Sequence, residues 1–246
     1  MSRVLTIAKR EVSSLFLSPI AYLVLFLFLV FMGIIFAWWI FIPGQVTELR
    51  NLVDLSRFSL FFIVPLMTMS IFADEYRSGR IEMLRTSPIT ELDLVLGKFL
   101  GAMTFYLFLI ASTFIYLALL MIFGRPDFGQ VLASYVGMIL MGCMFVAVGL
   151  FFSACTKEQI VAALAGIITL GAFTIISRFS QSLPGPFKLG SWEINFRSVA
   201  DYLSVGTHIG DFAKGTIEIT NVVYFVGFTL LFLFWTYLLL ESRKWR

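Results

Sequence analysis

Residues 94–123 read LVLGKFLGAMTFYLFLIASTFIYLALLMIF, thirty positions with one charge, Lys98. A helix needs about 20 apolar residues to cross roughly 30 Å of hydrocarbon, so this stretch predicts a membrane span. The residues before it, 74–91, read DEYRSGRIEMLRTSPITE and are densely polar; before those, 58–73 read FSLFFIVPLMTMSIFA, apolar again. Two spans with a polar segment between them set the pattern for the chain.

The composition agrees. Of 246 residues 59% are hydrophobic and 13% charged, and mean hydropathy is +0.94. A soluble domain carries about a quarter charged residues, so the bilayer is the expected solvent. The expected class is an all-α integral membrane protein, one domain over 1–246. Six spans are expected near 20–42, 56–73, 96–123, 131–152, 160–178 and 221–240. The second contains Pro65, which membrane helices tolerate with a kink. The first is too long for the apolar core of a signal peptide and reads as an anchor.

With six spans both termini share a side. That side would hold eleven of the 18 Lys and Arg (Arg3, Lys9, Arg10, Arg77, Arg80, Arg85, Lys98, Lys157, Arg243, Lys244, Arg246), the other side seven. Positive flanks stay in the cytoplasm, which places both termini and residues 74–91 there and 179–220 outside. Residues 3–18 predict a separate amphipathic helix. Val4, Leu5, Ala8, Val12, Leu15 and Phe16 share one face and Arg3, Arg10, Ser13 and Ser14 the other, as in a helix lying on a membrane surface; the alternative is a plain extension of the first span. In 179–220, Pro184, Gly185 and Pro186 exclude a regular helix at the start, and short interfacial helices are expected further on.

Catalytic signatures are missing. There is no phosphate-binding G-x-x-x-x-G-K-[ST] segment, since Gly97–Lys98 is followed by Phe99. His208 is the single histidine and reads as a polar loop residue. Glu193, Asp201, Asp211 and Glu218 show no paired-carboxylate spacing. Cys143 and Cys155, about 18 Å apart on one helix, read as packing residues rather than a disulfide. The span centres carry only hydroxyls (Thr68, Ser112, Thr113, Thr169, Thr174), which with Gly137, Gly142 and Gly149 suit close helix packing. An ion-coupled carrier or a lipid-modifying membrane enzyme is the alternative class, each lacking its expected ionisable groups.

Within 74–91, Gly79 ends the preceding helix. GRIEMLR can form about two turns, which Ser87–Pro88 stops. Thr90 and Asp93 resemble a capping box that starts a helix at Glu91 and carries it to about Phe123. Ile81, Met83 and Leu84 give the short helix an apolar surface ringed by Arg77, Arg80, Glu82 and Arg85. It suits docking on another protein; the bland alternative is a solvated loop.

This segment resembles the first cytoplasmic loop of type 2 ATP-binding-cassette (ABC) transporter permeases, most closely the gliding-motility-associated branch and its copper-processing relatives. Glu75, Gly79, Glu82, Leu84, Pro88, Gly97 and Lys98 match that pattern, and Arg80 stands where Thr is frequent. The resemblance implies a non-catalytic permease subunit in a bacterial inner membrane, within an ATP-driven transporter, expected to be an exporter. Its coupling helix, with Glu75, Gly79, Arg80, Ile81, Glu82, Met83, Leu84, Arg85 and Pro88, would dock on a separate ATPase dimer. That dimer would bind the ATP and Mg, and this chain no cofactor or metal. A second permease half, identical or related with an outer domain, would complete the path. Membrane lipid is the other expected partner, and nucleic acid is not.

Overall fold

The computed structural model describes residues 2–40, 49–79, 90–123, 127–180, 187–189, 192–194 and 196–243. The helices are α1 (Ser2–Leu17), α2 (Pro19–Ile40), α3 (Leu49–Thr68), α4 (Ser70–Arg77), α5 (Glu91–Ser112), α6 (Phe114–Phe123), α7 (Phe128–Cys155), α8 (Gln159–Ser180), α9 (Phe196–Leu203), α10 (Val205–Ala213) and α11 (Ile219–Ser242). Strands β1 (Phe187–Leu189) and β2 (Trp192–Ile194) pair antiparallel, Lys188 opposite Glu193. The chain is an all-α membrane protein, with this hairpin as a small addition in the 179–220 loop.

Among the described residues six helical stretches are long and apolar enough to cross a membrane: Ala21–Trp38, Val53–Arg77, Glu91–Ile122, Phe128–Cys155, Gln159–Ile176 and Ile219–Ser242. Their ends alternate. The Arg243 guanidinium, after α11, lies 4.6 Å from the Tyr76 ring centroid of α4 and donates to the Cys155 carbonyl of α7 at 2.9 Å. At the opposite end the Gln130 amide of α7 donates to the Ala213 carbonyl of α10 at 2.6 Å.

The centre is α7. It touches α3, α4, α5, α8, α10 and α11, and Met138, Met141, Met144, Phe145, Val146, Ala147, Val148 and Leu150 are fully buried. Two dents in its surface fix neighbours. At Gly142 an added Cβ would stand 2.0 Å from the Tyr106 ring of α5, and at Gly149 it would stand 2.1 Å from the Thr68 hydroxyl of α3. The Tyr106 hydroxyl donates to the Met138 carbonyl at 2.7 Å, the partner a buried phenol needs where water is excluded. Leu23, Phe26 and Ile34 of α2, Ile160, Leu164 and Ile168 of α8, and Leu230 and Phe234 of α11 face outward.

The structure corrects three readings. The helix expected from Glu91 to Phe123 is interrupted at Thr113. There the Thr113 N–H reaches the Ile110 carbonyl at 3.0 Å instead of the carbonyl four back. Ser112 and Thr113 hydroxyls donate to Leu109 and Ile110 carbonyls, both at 2.6 Å, a competition that bends helices. Second, the apolar stripe of α1 rests on protein. Ile7, Ala8 and Leu15 are buried against α5, whereas Leu5 is 58% exposed and Glu11 takes a buried place. Third, Cys155 is exposed at the end of α7 and has no packing role.

The second crossing stretch is interrupted at Met69, between α3 and α4, although the Met69 N–H still reaches the Pro65 carbonyl at 2.9 Å. Ser153 of α7 bridges the interruption. Its hydroxyl donates to the Met69 carbonyl at 2.8 Å and accepts from the N–H groups of Phe72 and Ala73 at 3.0 and 3.2 Å. Such outside partners are what make a broken helix tolerable in lipid.

Candidate functional site

The polar segment that follows α4 is anchored at both ends. At its start Gly79 has φ +70, a conformation that favours glycine, and so terminates α4. The Ser78 N–H and hydroxyl both donate to the Asp74 carbonyl, at 2.9 and 2.6 Å. The Asp74 carboxylate accepts a hydrogen bond from the Gln159 side chain of α8. At the far end Thr90 forms the expected capping box. The Asp93 N–H donates to the Thr90 hydroxyl at 3.1 Å, and the Thr90 N–H donates to the Asp93 carboxylate at 3.3 Å.

Behind these two ends lies a buried ionic cluster. Lys98 of α5 is fully buried. Its ammonium donates to the Ile71 carbonyl at 2.8 Å and lies 2.9 Å from Glu75 Oε1 of α4 and 3.4 Å from Glu11 Oε2 of α1. It also stands 4.9 Å from the Phe72 ring centroid. Arg10 of α1 reaches the same Glu75 oxygen at 3.3 Å. Taking a lysine out of water is costly, and two nearby carboxylates with hydrogen bonds to the Ile71 carbonyl and Glu11 offset that cost, although the second Glu75 oxygen is buried without a partner among the described residues. The cluster therefore ties α1, α4 and α5 into one corner.

The contact between α1 and α5 is close because α5 carries glycines at 97 and 101. A Cβ at Gly97 would stand 2.7 Å from Ile7, and one at Gly101 would stand 2.6 Å from the Glu11 side chain and 3.3 Å from the Ala8 carbonyl. Phe16 closes the far end of α1, edge-on to Phe105 and Phe108 at 5.3 and 5.2 Å. Small residues that let backbones approach are the usual basis of helix association in lipid.

Of the residues expected to form the docking site, Glu75 stands in the ionic cluster and Gly79 at the turn that opens the segment. Arg80, Ile81, Glu82, Met83, Leu84, Arg85 and Pro88 lie outside the described residues. Glu11, Arg10, Ser153 and Gln159 belong to the base of this segment and were missed by the sequence reading. Glu11 carried a signal: it interrupts the apolar face of α1, which a surface helix has no reason to do. Lys98, counted from the sequence among the Lys and Arg of the cytoplasmic side, is fully buried. His208, expected as a polar loop residue, is buried in α10 with hydrogen-bond partners at both ring nitrogens.

A multi-pass helical membrane protein whose second and third crossing stretches meet at a buried ionic cluster is the class these features define. The chain matches the ABC-2 family transporter protein domain over residues 51–238, more than half its length, and it belongs to that family. It is accordingly a membrane permease component of an ABC transporter, without catalysis of its own. No curated protein matches the chain.

Proposed function

We propose that this permease forms half of the translocation path of an exporter and is moved by a separate ATPase that grips residues 79–88. The observation that supports this reading is the cluster of Lys98, Glu75, Glu11 and Arg10 at the root of that segment. A loop that merely joins two spans needs no buried charge behind it. A segment that receives force does need a stiff base, because a compliant base would dissipate the movement. In this reading the ATPase subunits form a dimer that binds ATP and Mg, and a second permease half, identical or related, completes the path. In this reading the Lys and Arg distribution favours both termini and residues 74–91 on the cytoplasmic side, and the family resemblance favours a bacterial inner membrane. Kinship with the gliding-motility-associated branch rests on the loop motif.

The docking helix is tested by Ile81→Asp with Leu84→Asp. Apolar anchors at the centre of a contact contribute roughly 1–3 kcal/mol each, and exposed ion pairs about 0–1 kcal/mol. The double variant should insert at the wild-type level, since the segment does not enter lipid. It should lose co-purification of the ATPase or uncouple hydrolysis from transport, whereas Arg80→Ala should do much less. Normal association and coupling in the double variant would overturn the assignment.

A further inference from the structure

α1 runs beside α5 instead of lying across its end. An added Cβ at Gly97 would meet Ile7, and one at Gly101 would meet Glu11. Further on, Phe16 lies edge-on to Phe105 and Phe108. Equal steps on the two helices mean that they point the same way and lie close to parallel. Because α5 opens the crossing stretch Glu91–Ile122, α1 enters the membrane with it. At 1.5 Å per residue, Leu17 sits about 15 Å further along this path than Ile7.

The two sides of α1 differ. Ile7, Ala8, Glu11 and Leu15 are buried against α5. On the opposite side Arg3, Thr6, Lys9, Arg10, Ser13 and Leu17 recur at helical spacing and are exposed. Polarity falls along this outer line. Its three cations lie within the first ten residues, the Ser13 hydroxyl follows, and Leu17 ends it at 79% exposure. The acids of the corner lie underneath: Glu11 and Glu75 are buried and turn to Lys98. Asp93, at the start of α5, attracts Arg3. Lys9 and the Arg10 side chain, 54% exposed, are left as the positive part of the outer face.

Hydrocarbon supplies neither counter-charge nor hydrogen-bond partner to such a face. A glycerophospholipid standing in the same leaflet supplies both, in the same order: a phosphate, then ester oxygens, then acyl chains. We propose that the outer face of α1 is a binding site for one anionic glycerophospholipid. Its phosphate lies on Lys9 and Arg10, its ester oxygens accept from Ser13, and its acyl chains run along Leu17. Headgroup charge selects the lipid, because cations near the surface attract anionic lipid. The helix is then held between α5 on one side and lipid on the other. The site depends neither on the transport reading nor on which side of the membrane α1 begins.

Native mass spectrometry of the full chain, with defined lipid added in detergent, reads the selectivity. Phosphatidylglycerol should stay bound at concentrations where phosphatidylcholine does not. Lys9→Gln should weaken phosphatidylglycerol binding about fivefold, as expected for one basic residue at an anionic surface. Lys157→Gln, which removes an exposed cation between α7 and α8, should leave it unchanged. Equal retention of the two lipids, or equal effects of the two substitutions, would overturn the proposal. Position is read in phosphatidylcholine nanodiscs holding a small fraction of lipid brominated high on the acyl chain. With Cys143 and Cys155 replaced, a fluorophore on Ser13→Cys should be quenched more by brominated phosphatidylglycerol than by brominated phosphatidylcholine. Equal quenching would reject the site. Disulfide formation between copies through Ser13→Cys would show that a second chain covers this face, and would reject it too.

Discussion

Lys98 places a full positive charge where no water reaches, and the carboxylates of two other elements converge on it. Removing one member of a buried ionic group is worse than removing all of it, because the remaining charges stay desolvated. Lys98→Met should therefore cost about 3–5 kcal/mol, read as a fall in unfolding midpoint in one fixed detergent. Combining it with Glu11→Gln and Glu75→Gln should recover a large part of the loss; a triple variant no better than the single one would reject this account. A second residue-scale test concerns Asp211. Its carboxyl is held below the ordinary value of 3.8 by the Lys214 hydrogen bond. A lowered folded value gives stability that is present above the unfolded value and lost as pH falls through the folded one. The stability difference between wild type and Lys214→Ala should thus be flat from pH 8 to pH 5 and shrink below about pH 4. The partners of Lys98 could not be read from the sequence. Glu11 stands 87 positions away, and the lysine sits at a helix flank where an exposed cation is equally natural.

At the scale of elements, local signals were legible and long-range ones were not. The capping box at Thr90 and the glycine stop at Gly79 involve residues a few positions apart, so spacing alone revealed them. The break at Thr113 did not show. Thr104, Thr229 and Thr236 donate to the carbonyl four residues back without interrupting their helices. Thr113 differs by meeting the Tyr135 hydroxyl of α7 at 3.0 Å, a contact only the fold creates. The β1–β2 hairpin was likewise missed, because three residues per strand give too little alternation to read. The α1–α5 contact provides the test at this scale. Gly101→Val forces a side chain against Glu11 and the Ala8 carbonyl, so overpacking should cost about 1–3 kcal/mol. A cysteine at Ala8 should become reactive toward thiol reagents in that background. Gly210→Ala, where an added Cβ meets nothing within 4 Å, is the control and should be neutral or slightly stabilising. An unreactive position 8 in Gly101→Val would show that α1 does not depend on the glycine contact.

For the whole molecule, composition and hydropathy were enough to read the helical membrane class, because the bilayer demands long apolar helices whatever the function. The family was legible from a loop motif of which Glu75, Gly79, Gly97 and Lys98 are described. All four have a structural reason: the acid and the lysine of the motif pair with each other, Gly97 admits α1, and Gly79 ends α4 with a positive φ. Orientation is the remaining whole-molecule expectation. With Cys143 and Cys155 replaced, a cysteine at Ser78 should stay unlabelled by an impermeant thiol reagent in intact cells, while one at Thr216 should be labelled. The reverse pattern would invert the protein.

The position of α7 in the chain has a consequence for biosynthesis. It is the fourth crossing helix to be made, yet the earlier ones are shaped around it: Tyr106 points its hydroxyl at the Met138 carbonyl, Thr68 fits against Gly149, and the broken helix before residue 74 waits for Ser153. Until α7 leaves the ribosome, these groups face lipid or the insertion machinery without their partners. The first half of the chain is thus synthesised as a set of unfinished surfaces. The α1–α5 corner can close early, but the core contacts of α3 and α5 wait for the arrival of a single helix.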